Sequence, residues 1–192
     1  FMPAWLNIAP AGQRPALRGA DGVYSVIEQL AGIRLPASAW ESMILPSRVG
    51  DYSPEMLDEL TLSGEVQIVG AGKAGARDPW IMLLPADYAA QLIPVPEEPL
   101  LSLTQQRVMD KINVGGGYLF TDLLGPASES FTTSDELRES MWDLVEAGLI
   151  APDSFAPIRA RLAGGKHGKT AHRAKRRPSR SRIRSGRTTF AN

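Results

Sequence analysis

The chain has 192 residues, 43% hydrophobic and 22% charged, enough for one domain or two small ones. It contains no cysteine, which excludes a disulfide framework, a thiolate zinc site, an iron–sulfur cluster and cysteine nucleophilic catalysis. The net charge of zero hides an asymmetry: residues 164–192 hold ten of the 21 Lys and Arg with no acid, and residues 1–163 hold the other 11 with all 21 acids, a body of 11 minus 21, or −10. No stretch approaches the ~18 consecutive apolar residues of a membrane span, and residues 1–20 lack a basic start followed by an apolar block. The expectation is a cytoplasmic protein without membrane contact. A chain that opens Phe1-Met2-Pro3 and stops just after a basic run is expected to be a piece of something longer.

In chain order, Val23, Val26, Ile27 and Leu30 at i, i+3, i+4 and i+7 predict an amphipathic helix, with Asp21 as N-cap and Gly32 beyond its end. A shorter helix is expected from about Pro36 to Leu45, with Trp40, Met43 and Ile44 on its apolar side and Pro46 stopping it. The third starts at Ser53, places Pro54 at its first position, uses Met56, Leu57 and Leu60, and ends at Gly64. Val66, Ile68 and Val69, then Trp80 to Leu84, read as the strands of a hairpin, joined by a Gly-rich stretch carrying Lys73 and Arg77. Pro94 to Pro99 reads as a linker. Beyond it the pattern recurs. A helix from Ser102 to Asn113 opens on a Ser102/Gln105 capping box and carries Val108, Met109 and Ile112. A short helix is expected around Tyr118 to Leu124. A longer one follows, with a Thr133/Glu136 capping box and Leu137, Met141, Leu144 and Val145 at helical spacing, closed by Gly148.

Aligning Gly64 with Gly148, an offset of 84, superimposes Glu59-Leu60 on Asp143-Leu144 and Val66 on Ile150, the mark of a tandem duplication. Three helices, a glycine and a strand is the order of a winged helix-turn-helix, whose hairpin is the wing. Pro152 and Pro157 leave the second copy a truncated or irregular wing. The expected fold is therefore α+β, mainly α, with tandem winged helix-turn-helix domains. Residues 1–20 are a lead-in, 21–93 a winged-helix domain, 94–100 a Pro-rich linker, 101–162 a winged-helix-like domain with reduced wing, and 163–192 a disordered basic tail.

Two motifs resemble nucleotide sites, and their surroundings refuse both. Gly70, Gly72 and Gly75 form G-x-G-x-x-G after a strand, but Asp78-Pro79 and another strand follow where a phosphate-receiving helix is needed, so the glycines are expected to turn a hairpin loop. Ala163, Gly168, Lys169 and Thr170 match a relaxed P-loop, yet only 22 residues follow Thr170. His167 and His172 lie in the tail, and Glu97 and Glu98 in the linker, away from any cleft that would shift their pKa values. Trp40, Trp80 and Trp142 lie on apolar faces suited to packing. No catalytic constellation and no metal site emerges.

The third helices are acidic: residues 53–64 carry Glu55, Asp58 and Glu59 without a cation, and 133–147 carry Asp135, Glu136, Glu139, Asp143 and Glu146 against Arg138 alone. A helix that reads a major groove offers cations and amides, so these helices are expected to face protein. Nucleic-acid contact is then expected from Lys73 and Arg77 of the wing and from Lys166, Lys169, Arg173, Lys175, Arg176, Arg177, Arg180, Arg182, Arg184 and Arg187 of the tail.

The run Leu35-Pro36-Ala37-Ser38, Glu41-Ser42, Ile44-Leu45-Pro46, Arg48-Val49, Asp51-Tyr52-Ser53-Pro54, Leu57-Asp58-Glu59-Leu60 and Gly64-Glu65-Val66 resembles the C-terminal region of long Lhr-type (large helicase-related) bacterial ATP-dependent DNA helicases. The resemblance extends from Phe1-Met2-Pro3-Ala4-Trp5 through Gly148-Leu149-Ile150 and Pro157-Ile158-Arg159. It implies a tandem winged-helix array, related to the AlkZ and YcaQ type DNA glycosylases, in a parent associated with DNA repair whose separate motor uses ATP and Mg. It also implies DNA as partner, an RNA–DNA hybrid being an option, together with other domains of the parent and a homo-oligomer as a further option. No motor motif occurs here, so the expected role is a non-catalytic scaffold without a cofactor of its own. The alternatives are part of a uracil-DNA glycosylase site, or a stand-alone winged-helix regulator.

Overall fold

The computed structural model describes residues 15–93, 100–115, 118, 123 and 133–164. The lead-in before residue 15, the Pro-rich linker with Glu97 and Glu98, most of the helix expected around Tyr118 to Leu124, and the tail beyond Gly164 lie outside the described residues. Among the described residues, seven helices and a three-stranded antiparallel sheet make a mainly helical α+β fold.

Helix α1, Gly19–Gln29, buries Val23, Val26 and Ile27 as its period predicts, but it begins two residues before Asp21. Its N-terminus is capped from a distance instead: the Gly19 amide donates to Asp51 Oδ1 (2.9 Å). The expected second helix is also corrected at its start. Leu35–Pro36 is a two-residue strand, β1, paired with β3, and only from Ala37 does the chain turn into α2, Ala37–Ala39, running on as a π-helical turn over Trp40–Ile44. Pro36, lacking an N–H, suits both the sheet edge and the residue before a helix. Helix α3, Pro54–Leu62, begins after Ser53 and buries Leu57 and Leu60, as expected.

Strands β2, Val66–Lys73, and β3, Pro79–Pro85, form the wing hairpin in the order β1-β3-β2. β3 is central and covered on both faces: Ile81 and Leu83 enter the core of α1 to α3 with Val66 and Ile68, while Met82 and Leu84 meet Val69 and Ala89. Ala89 belongs to α4, Ala86–Leu92, a helix that the sequence pattern did not announce because Ala89 alone is buried on it.

In the second repeat, α5, Leu103–Ile112, carries the Ser102/Gln105 capping box, and α6, Ser134–Glu146, is N-capped by Thr133 through the Glu136 amide. The offset of 84 carries Gly19, first in α1, onto Leu103, first in α5. It also carries the bond from Ser63 N to Glu59 O onto that from Ala147 N to Asp143 O, both 2.9 Å, ahead of Gly64 and Gly148 at φ +80° and +72°. No strand occurs among the described residues of this repeat. Where a reduced wing is expected there is instead α7, Ala156–Leu162, with Pro157 in its first turn, where a missing N–H costs nothing. Ile158 of α7 and Phe155, its N-cap, are buried in the core of the first repeat, while Val108, Leu123, Leu137 and Leu144 form a separate cluster.

Candidate nucleic-acid interface

The wing is fastened at both ends of its loop. Asp78 Oδ1 and Oδ2 accept from Ser38 N (3.0 Å) and Ser38 Oγ (2.6 Å), tying the loop to the start of α2. At the other end, Lys73 Nζ lies 2.8 Å from Asp143 Oδ1 and 3.2 Å from Glu146 Oε2, both on α6. These two carboxylates, Asp143 first, hold the Lys73 ammonium above the ordinary lysine range. Lys73 was expected as a nucleic-acid contact; its charge is engaged within the chain. Arg77 is exposed, with no ion-pair partner among the described residues, and its guanidinium lies against Gly164 at the end of α7. Gly164 has φ +73° and no room for a side chain facing Arg77. Lys166, Lys169, Arg173, Lys175, Arg176, Arg177, Arg180, Arg182, Arg184 and Arg187 lie outside the described residues.

Of the three glycines expected to turn the loop, Gly70 does something else. It is buried within β2, and a Cβ there would overlap the Val145 carbonyl of α6; conversely, a Cβ at Gly148 would sit 2.7 Å from Gly70 O. Strand and helix thus touch backbone to backbone.

Asp58 of α3 and Glu139 and Glu146 of α6 have partners on α7. Arg159 donates through Nε to Glu41 Oε2 (2.7 Å), through Nη1 and Nη2 to Asp58 (2.9 and 2.8 Å), and through Nη2 to Pro54 O (3.2 Å). Burial disfavours its charge, but Asp58 and Glu41 overcome that and raise its pKa further. Tyr52, its hydroxyl donating to Glu41 Oε1 (2.8 Å), is pushed far above the usual phenol range, by burial first and by that hydrogen bond second. Two residues on, Arg161 points the other way. It meets Glu146 at 2.9 Å, the pair being 9% and 3% exposed, stacks over Trp142 at 4.6 Å, and reaches Glu139 at 3.6 Å. Asp58, Asp143 and Glu146 are thus engaged within the chain, whereas Glu55, Glu59, Asp135 and Glu136 are exposed. Arg159 and Arg161 escaped the sequence reading, although acids lacking local cations were the signal for them.

The family of the large helicase-related protein winged-helix domain matches residues 1–86. Over 181 residues, 94% of this chain, there is 40% identity to the "Lhr helicase/ probable uracil glycosylase" of Mycolicibacterium smegmatis, and over 169 residues, 85% of the chain, 39% identity to the "Lhr helicase/uracil glycosylase" of Escherichia coli. Its winged-helix domain is that of the Lhr family. The Lhr chain described here spans 12% and 11% of the length of those two relatives.

The Gly70, Gly72 and Gly75 motif does not fit a phosphate group, since Gly70 and Gly72 lie in a strand that runs into a turn and not into a helix. Of the second motif, Ala163 caps the end of α7, and Gly168, Lys169 and Thr170 lie outside the described residues. Among the described residues no cluster of three or more His, Asp or Glu could hold a metal, and no helix is long and apolar enough to cross a membrane. An apolar groove of about 710 Å³ runs along α6, lined by Leu62, Met141, Trp142, Val145, Leu149 and Pro157, with Arg138, Asp153 and Ser154 as polar lining.

Proposed function

We propose that this Lhr segment is a non-catalytic scaffold in an ATP-dependent DNA helicase of the cytoplasm, positioning nucleic acid in DNA repair through the wing loop and the basic tail while its helices pack against protein. The motor, with its ATP and Mg, belongs to the parent outside this chain. The observation that carries the reading is the contact of Gly164 with Arg77: the wing cation and the root of a segment with ten positive charges meet at one corner of the molecule. Third helices that carry exposed acids such as Glu55, Glu59 and Asp135 support it from the other side, because a carboxylate-lined helix repels phosphates.

Fluorescence anisotropy with single-stranded DNA, duplex DNA and an RNA–DNA hybrid tests this. The full chain is expected to bind with a steep salt dependence, and a chain ending at Ala163 to lose most of that affinity. Equal binding by the shortened chain sinks the proposal. A second reading, part of a uracil-DNA glycosylase site, draws on the names of the two relatives and on the groove along α6. Release of uracil from DNA by the isolated chain would decide for it.

A further inference from the structure

The wing carries two cations, and the fold treats them differently. Arg77 is open at the loop, whereas Lys73, four residues earlier, lies between Asp143 and Glu146 of the second repeat. Those two carboxylates are not equivalent. Glu146 is buried and has Arg161 at 2.9 Å, so its charge stays compensated if the lysine leaves. Asp143 is 45% exposed, and its other contact among the described residues is the Gln105 amide at 3.5 Å. An ion pair this open to water is exchangeable, and a phosphate is an equivalent partner for the ammonium. The backbone seam of Gly70 with Val145 and Gly148 keeps α6 beside the wing throughout, so Asp143 competes at high local concentration.

We propose that Asp143 gates the wing: it holds Lys73 in an autoinhibitory ion pair that a polyanion must displace, leaving Arg77 as the wing's standing contact. The inference rests on the nucleic-acid reading above and adds its regulation by the second repeat. Phosphate capture by Lys73 would leave Glu146 paired with Arg161 and leave Asp143 to solvent.

The test is a double-mutant cycle in the full 192-residue chain, read by anisotropy with a fluorescein-labelled 20-nucleotide oligothymidylate. The proteins are the parent, Lys73→Gln, Asp143→Asn and the double variant, with Arg77→Gln and Asp110→Asn as references and matched circular dichroism confirming their folding. Asp110→Asn removes the same charge from the exposed side of α5. Lys73→Gln alone is expected to leave affinity nearly unchanged. Asp143→Asn should tighten binding about two- to fivefold, the range of an exposed pair, well beyond Asp110→Asn, and the double variant should lose that gain. The gate is overturned if Lys73→Gln weakens the parent as much as Arg77→Gln does, or if the gain survives in the double variant. If the parent does not bind, the nucleic-acid reading falls and takes the gate with it; if the parent binds but Arg77→Gln changes nothing, the wing has no part in that binding and the gate falls. If Arg77→Gln weakens binding and positions 73 and 143 are uncoupled, the gate alone falls.

Discussion

Among the described residues the first repeat closes its core on seventeen buried hydrophobic residues, two of them supplied by α7 and its N-cap, Ile158 and Phe155; the second repeat gathers four. Both use the same frame, since α1 and α5 start 84 residues apart and α3 and α6 end on equivalent glycines. What separates them is the third layer. The first repeat has a sheet whose central strand is covered on both faces, and in the second the segment after the third helix crosses over to complete the neighbour's core. A helical unit can thus do without a wing among its described residues, provided another surface takes over the burial. Here that surface is the first repeat, joined through the Gly70 seam, the α7 arginines and Lys73.

The most forceful way to break this comparison is Phe155→Ala. Phe155 is fully buried and belongs to the second repeat by sequence but to the first by packing. Its loss should cost about 3–5 kcal/mol, the range for a large aromatic cut from a core. Urea denaturation should show a lower midpoint at unchanged slope. A cost under about 1 kcal/mol, far below that range, would make α7 an appendage and return the two repeats to independence.

Arg161→Met comes next. It strips the buried Glu146 of its closest partner, a change that costs about 3–5 kcal/mol where nothing replaces the lost charge. Lys73, 3.2 Å from Glu146 Oε2, remains and should keep the effect near the lower end. Replacing both members, Arg161→Met with Glu146→Leu, should recover most of the loss, because two apolar side chains avoid the desolvation that the pair requires. A double variant as unstable as the single one would show that Arg161 acts by packing on Trp142 and not by charge.

Helices that bury a periodic apolar face onto their own neighbours were legible, with α3, α5 and α6 emerging almost at their expected bounds. Elements specified by partners distant in the chain were not. β1 exists because Leu35 pairs with Ile81, and α1 starts at Gly19 because Asp51 accepts its amide; neither fact has a local signature. Proline misled where its position decides its meaning: Pro157 reads as a breaker, yet at the start of α7 its fixed φ favours the helix. For the candidate interface, the tail lies outside the described residues, and the exposed charge of Arg77 was legible. The engagement of Lys73 was not, since its partners lie 70 residues away and more.

The finest probe of the comparison is Gly70→Ala, because it adds one methyl to the seam and removes no bond. Gly70 lies in the strand and is absent from the residues with positive φ, so alanine meets no conformational strain there. The methyl would, however, overlap the carbonyl of Val145 and come within 3.2 Å of the Glu146 Cα, and backbone cannot swing aside as a side-chain end can. Either β2 or α6 must move as a whole, which places the cost at about 1–3 kcal/mol, the usual range for overpacking. Whichever element moves, Lys73 on β2 and Asp143 on α6 should draw apart and their ion pair should lengthen. Gly70→Ala should therefore also release Lys73 and tighten oligothymidylate binding in the direction expected of Asp143→Asn. Destabilisation without that change in binding would uncouple the backbone seam from the charge that closes over it.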